Sequence, residues 1–131
     1  MIRNLKHLFN SNNIPIISAD ESRIKMMLQF IHENYSKSIS LEEIAATANL
    51  SKSECCRCFK RTLKISPFEY LIQNRVLTAA KLLSTTDRPI SDISDAVGFN
   101  GLSYFYKTFK SMMNMTPAEF RENENNAKNN Q

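Results

Sequence analysis

The sequence predicts an all-α fold of about seven helices, in which two similar helical units are joined by a long central helix. Three observations predict it. First, the stretch from Leu41 to Pro67 recurs from Ile90 to Pro117: Leu41, Ile44, Leu50, Phe59 and Pro67 answer to Ile90, Ile93, Phe99, Phe109 and Pro117. The offset is 49 residues before the internal turn and 50 after it, so the second copy carries one extra residue, near Asn100. Second, the chain of 131 residues is 42% hydrophobic, holds only 2 glycines and 4 prolines and has no strongly alternating stretch, which favours helices over sheet. Third, the pattern Ser/Thr-x-x-Glu, which marks helix starts, opens segments at Ser40, Ser51, Ser66 and Thr116. Two repeats are too few for a solenoid. They suit a pair of helix-turn-helix subdomains, a device for placing one helix into a DNA groove.

The elements follow in order. Residues 1–20 are heterogeneous: Asn4 to Phe9 has the pattern of a short helix, Asn10 to Asn13 breaks it, and Pro15 follows. This segment reads as a linker or the remnant of an upstream domain. Ile24, Met27, Leu28, Ile31 and Tyr35 fall at helical spacing, giving an amphipathic helix over about 21–35. Ser40-Leu41-Glu42-Glu43 is a capping box and opens a short helix of about 41–48. Ser51-Lys52-Ser53-Glu54 is another and opens a helix of about 52–63. Cys55, Cys58 and Phe59 are placed inward; Lys52, Ser53, Cys56, Arg57 and Lys60 are placed outward.

Ser66-Pro67-Phe68-Glu69 starts the long helix, with proline where its missing N–H does no harm. Phe68, Leu71, Ile72, Val76, Ala79, Ala80 and Leu83 make its apolar stripe, to about residue 83, roughly 25 Å at the helical rise. Arg75 lies on that stripe, so it either braces the interior through an acidic or carbonyl partner or touches DNA; the first is the expectation. A short helix of about 91–97 carries Asp92 near its positive end, and Gly98 suits a left-handed C-cap. Asn100 is expected to cap the next helix, of about 101–113, with Leu102, Phe105, Phe109 and Met112 or Met113 as inward bulk. Thr116-Pro117-Ala118-Glu119 repeats the start of the long helix, and Phe120 pins a last helical turn. Beyond it the chain has no apolar face and is expected to be disordered. The expected divisions are thus 1–20 linker, 21–66 first subdomain, 67–84 linker helix, 85–121 second subdomain and 122–131 tail.

Net charge is +4, and its distribution is uneven. Between Ser51 and Lys64, five basic residues (Lys52, Arg57, Lys60, Arg61 and Lys64) face one acidic residue, Glu54, so this segment alone carries +4. Such a patch favours an anionic partner, the plain alternative being a solvated helix face. Cys55, Cys56 and Cys58 are odd in number and clustered, which is no disulfide framework. They lack the ligand spacing of a metal site, with His7 and His32 remote in sequence. No acid–base pair, histidine-centred cluster or glycine-rich phosphate loop marks an enzyme. No run is long enough to span a membrane and no signal-peptide pattern opens the chain, so a cytoplasmic location without membrane partners is expected.

Taken together, the ordered motifs resemble the DNA-binding module of the AraC/XylS family of bacterial transcription regulators. The first half carries Ile39-Ser40-Leu41-Glu42-Glu43-Ile44-Ala45, Phe59-Lys60, Ser66-Pro67, Tyr70-Leu71 and Arg75 with Ala79-Ala80 and Leu82-Leu83. The second carries Val97-Gly98-Phe99, Ser103-Tyr104-Phe105, Phe109-Lys110, Thr116-Pro117 and Phe120-Arg121. The likeness runs from about Ile31 to Arg121. Departures from the family pattern are Lys64 and Asn114 in place of glycine, Ser94 in place of alanine, Gly101 before the second recognition helix, and Lys107 in place of arginine.

The resemblance implies sequence-specific binding of double-stranded DNA, with two recognition helices in successive major grooves about one turn, or 34 Å, apart. The joining helix would set that separation; if it is rigid, the DNA bends or one helix engages poorly. Carried over by position, Ser53, Cys56 and Arg57 would read bases from the first recognition helix, and Leu102, Ser103, Tyr106 and Lys107 from the second. Arg57 leads, as a bidentate ligand of guanine or, alternatively, a phosphate contact. Cys56 either packs against a thymine methyl or is a tolerated small residue; Tyr106 either reaches the DNA or packs on the surface. Lys52, Lys60, Lys107 and Lys110 are candidates for phosphate neutralisation. The resemblance implies no cofactor; RNA polymerase is a possible further partner, and dimerisation is expected through a domain absent from this chain. The alternative is a helical protein-interaction module with a basic face.

Overall fold

The structure is a computed structural model and describes residues 18–130. The short helix and linker expected before Ser18, and Gln131, lie outside the described residues. Those described form seven α-helices: α1 (Ala19–Asn34), α2 (Leu41–Ala46), α3 (Lys52–Leu63), α4 (Pro67–Thr85), α5 (Ile90–Ala96), α6 (Leu102–Met113) and α7 (Pro117–Asn129).

Local chemistry sets most of the boundaries. At Ser40, Ser51, Ser66 and Thr116 the hydroxyl accepts the N3 amide while the N3 glutamate accepts the cap amide, satisfying two donors that a helix start otherwise leaves unpaired. Pro67 and Pro117 follow two of these caps, with the backbone already set for a helix. Helices α3 and α6 end in the left-handed region, at Lys64 (φ 65°) and Asn114 (φ 61°). A left-handed lysine costs about 1 kcal/mol that the family's usual glycine avoids.

Two expectations change. Asn100 does not cap α6: Gly101 is the cap, at φ 101° and ψ 136°, with no side-chain hydrogen bond. The extra residue of the second copy lies between Phe99 and Gly101, so the position that holds Ser51 in the first copy holds a glycine. The disordered tail expected over 122–131 is also revised, since α7 continues to Asn129. It is held at its side rather than by an apolar stripe. Arg121 donates to the carbonyl oxygens of Leu83 (3.1 Å) and Thr86 (3.2 Å), and Lys128 donates to that of Ser84. These carbonyls end α4, where a cation is favoured.

Two cores result. The first packs Met27 and Ile31 of α1 against Ile44, Ala45, Cys55, Cys58 and Phe59, with Leu71 from α4. The second packs Ile72, Val76, Ala80 and Leu83 of α4 against Ile93, Val97, Phe99, Phe105 and Phe109. Helix α4 therefore does for the second half what α1 does for the first: Met27 and Ile31 answer to Val76 and Ala80 at the same offset of 49 residues. The duplication extends one helix further upstream than the motifs indicate, and α4 serves both copies.

Tyr35 packs against both cores. Beside it the buried Arg75 guanidinium donates to the carbonyl oxygens of Tyr35 (2.7 Å) and Lys37 (2.9 Å), so Arg75 braces the interior. Burial holds its pKa below the usual arginine value. Gly98 lies against the same group. Its φ is +100°, and a Cβ there would come within 2.7 Å of the Tyr35 oxygen and 2.9 Å of Arg75 Nε. The two halves thus meet at a polar knot of Tyr35, Arg75 and Gly98.

Candidate nucleic-acid interface

Each half places its second helix across a tight turn. In the first turn the Leu50 amide donates to Ala45 O (3.0 Å), with Asn49 at φ 57°; in the second the Phe99 amide donates to Ser94 O (3.0 Å), with Gly98 at the matching position. Both turns thus cross one left-handed residue and bury an apolar side chain, and α3 and α6 leave them with equivalent faces.

On α3, Cys55, Cys58 and Phe59 are buried. Burial pushes the Cys55 thiol up to about 11 and the Cys58 thiol upward as well, so neither offers a thiolate near neutral pH. Lys52, Ser53, Arg57 and Lys60 are exposed on the opposite face, with Cys56 half-buried at its edge. Lys52 Nζ lies 3.6 Å from Glu42 and Lys60 Nζ 3.8 Å from Glu69, both exposed pairs of the kind worth little in water. Arg61 is committed: it binds Asp20 through two hydrogen bonds of 2.8 and 3.0 Å. That bond holds the Asp20 carboxyl below the usual carboxylate range. Arg57 has no ion-pair partner among the described residues. The basic segment read from the sequence thus presents Lys52, Arg57 and Lys60 outward, while Arg61 fastens α3 to α1.

On α6, Phe105 and Phe109 are buried, and Leu102, Ser103, Lys107 and Lys110 are exposed. Tyr106 is half-buried, its ring edge-on to Phe105 at 6.2 Å and packed on the second core. It is the positional equivalent of Cys56 and is likewise at the edge of its face. Sequence reasoning passed over Tyr104. It is 44% exposed, with its ring held against Phe99 at 5.6 Å. The signal was available: an aromatic residue at a helix position that the inward spacing of Phe105 and Phe109 leaves outside.

Phe68, in the first turn of α4, relates the two outward faces. It walls a small hollow with Cys56 of α3 and another, on its other side, with Tyr104 and Lys107 of α6. Both outward faces therefore border the same residue. Nothing in this arrangement activates a nucleophile or gathers metal ligands among the described residues. No described helix is long and apolar enough to cross a membrane. What the arrangement offers is two separate cationic ridges on a fixed scaffold.

The family model described as "Helix-turn-helix domain" matches residues 44–123, more than half of the chain. A solved transcriptional regulator of the AraC-type DNA-binding-domain proteins from Chromobacterium violaceum superimposes with a TM-score of 0.75 at 27% identity, covering 79% of this chain and 92% of that one. The chain belongs to the AraC-type helix-turn-helix transcription regulators. Its helices form the DNA-binding module of that family. Among the relatives, the uncharacterized HTH-type transcriptional regulator YdeC of Bacillus subtilis (strain 168) is 42% identical over 100 residues, or 76% of this chain and 34% of that one. The DNA-binding domain of AdpA, solved in complex with a target DNA, has a TM-score of 0.73 at 25% identity, covering 76% of this chain and 90% of that one. The chain spans 34% to 41% of the length of three curated relatives that it matches.

Proposed function

We propose that α3 and α6 enter successive major grooves on one side of a duplex and that the chain recognises its site mainly through α3. The observation that carries this is the pair of outward faces bordering Phe68, of which that of α3 holds Arg57, a guanidinium with no ion-pair partner among the described residues. A guanidinium on that face can take guanine O6 and N7 with two parallel hydrogen bonds. Ser53 and Cys56 flank it as readers of neighbouring bases, the thiol suiting a thymine methyl. Lys52 and Lys60 exchange their exposed glutamate partners for phosphates. On α6, Leu102, Ser103 and Lys107 face the second groove, Lys110 takes phosphate, and Tyr106 contributes at the edge of its face. RNA polymerase and a dimerisation domain outside this chain are the further partners that this reading carries, in the cytoplasm.

The structure of AdpA with target DNA supports this reading by analogy of fold, as does the exposure of all the lysines assigned to phosphate. The test is selection of duplexes from a random pool, followed by titration of the enriched duplex against salt. A specific site should bind at least about a thousandfold tighter than random duplex. The logarithm of affinity should fall linearly with that of salt, by about 0.9 for each phosphate contacted. Failure to enrich any sequence, or binding indifferent to salt, would leave a helical protein-interaction module as the reading.

A further inference from the structure

Two exposed aromatic side chains stand between the outward faces, and the family carry-over gives neither a task. Phe68 is 60% exposed and Tyr104 is 44% exposed. Together they wall two adjoining hollows of about 410 and 400 Å³. The first is rimmed by Asp95 and Asn100, the second by Glu69 and Lys107. Phe68 also walls the hollow of about 130 Å³ beside Cys56. The aromatic pair is thus continuous with the proposed interface on both flanks. Tyr104 is held by its edge contact with Phe99, and Phe68 sits inside the Ser66–Glu69 capping box. Both rings start from fixed backbone, so little freedom is lost when something covers them.

We infer that Phe68 and Tyr104 form an apolar ridge that receives the deoxyribose edge of the DNA segment lying between the two major grooves. Two helices in successive grooves leave one stretch of minor groove facing the protein between them. The charges around the ridge select which part of the backbone can approach. Asp95 at its rim repels phosphate; Glu69 is balanced by Lys60 of α3 at 3.8 Å, and Lys107 of α6 lines the second hollow, so the cations lie on the two recognition helices that flank the ridge. Phosphates are therefore drawn to the flanks and sugars, the least polar part of the backbone, are left for the centre. The ridge adds affinity and fixes the path of the duplex without reading bases or neutralising charge. This inference rests on the assignment of α3 and α6 to the grooves.

Hydroxyl-radical footprinting reports on sugars and so tests the ridge directly. The duplex enriched by the wild-type chain is footprinted with the wild type, Phe68→Ala, Tyr104→Ala and Phe68→Leu. Sugars between the two groove contacts should be protected by the wild type and by Phe68→Leu. In both alanine variants they should open while the flanks stay protected. Affinity should drop about tenfold for Phe68→Ala, in keeping with loss of a partly buried ring. The salt slope should not change, because no charge is removed. Since both rings project from the surface, thermal melts by circular dichroism should leave the variants folded, and Phe68→Leu controls for backbone effects. Central sugars as open with wild type as in free DNA would overturn the inference. So would a footprint indifferent to Phe68→Ala together with a dimer in sedimentation that this variant abolishes, which would give the ridge to a second copy. If no duplex is enriched at all, the groove assignment itself has failed, a result distinct from an open centre within a protected site.

Discussion

The two halves of this protein share a backbone and little else. The first recognition helix begins at a serine box, is laced to its surroundings by ion pairs and packs small sulfur-bearing side chains inward, with Cys55 Sγ 3.5 Å from Met27 Sδ. The second begins at a bare glycine and packs rings: Phe99, Phe105, Phe109 and Phe120 form a chain with centroids 5.1, 5.7 and 5.6 Å apart. Three exposed cations (Lys52, Arg57 and Lys60) line the face of α3, and two (Lys107 and Lys110) line that of α6. The comparison teaches that the turn is preserved by its left-handed residue and its returning backbone hydrogen bond, whereas core and face chemistry are free to diverge. It also separates the halves by surface charge, α3 presenting more exposed cations than α6, and by core, the second being the more aromatic.

The largest expected effect breaks the equivalence of the turns. Gly98→Asn copies the first turn into the second, but its Cβ collides with Tyr35 O and Arg75 Nε. It should cost about 3 kcal/mol in urea unfolding, the upper range for a residue forced into strained backbone. The reciprocal Asn49→Gly should stay within about 0.5 kcal/mol of wild type. Equal costs would mean that the knot does not constrain Gly98. Next comes the asymmetry of the faces. Arg57→Ala should cost about 1–3 kcal/mol on the enriched duplex and relax selectivity at one base pair, while Lys107→Ala should chiefly lower the salt slope by about one. A uniform loss on all sequences for Arg57→Ala would reassign it to phosphate.

A smaller effect concerns one buried hydroxyl. Ser94 is buried with no partner for its Oγ among the described residues, and its counterpart in the first half is the equally buried Ala45. Ser94→Ala should raise stability by about 1 kcal/mol, and Ala45→Ser should lower it comparably, as unpaired buried polar groups do. A destabilised Ser94→Ala would show that the hydroxyl is satisfied in solution. The smallest effect is acid fraying. Hydrogen bonds from the Ser51 backbone and side chain hold the Glu54 carboxyl below its ordinary value. A depressed carboxylate stabilises the folded state above its unfolded pKa, about 4.3, and that support is lost as pH falls through the folded value. Amide resonances at the start of α3 should therefore shift on acidification below the ordinary carboxylate range, before those of α6, which lacks such a cap. Glu54→Gln should flatten the response; simultaneous shifts in both helices would assign it to global unfolding.

Much of this was legible in the sequence because it is local. The four Ser/Thr-x-x-Glu boxes start helices at Leu41, Lys52, Pro67 and Pro117, since a hydroxyl and a carboxylate three residues apart need nothing but their own backbone. The start of α6 was misread because Asn100 is a good cap by type, while the inserted residue moves the cap to Gly101. The length of α7 was invisible for another reason: its ties run from Arg121 and Lys128 to carbonyls some 35 to 44 residues earlier in the chain. The expectation for Arg75 was of the right kind, a buried cation with carbonyl partners, but Tyr35 and Lys37 could not be named from spacing. Tyr104 has no role among the positions carried over from the family, and an aromatic ring next to the core residue Phe105 reads as core until the fold shows it 44% exposed.

The knot of Tyr35, Arg75 and Gly98 has a consequence for the DNA. One guanidinium spanning two carbonyls, seated on a residue with no side chain, ties the two halves at a single point, like the pivot of a caliper. Each base pair inserted between half-sites would turn one of them about 34° around the duplex axis. With α3 and α6 in successive grooves as proposed, the gap between the half-sites would be as much a part of the recognised message as the letters within them.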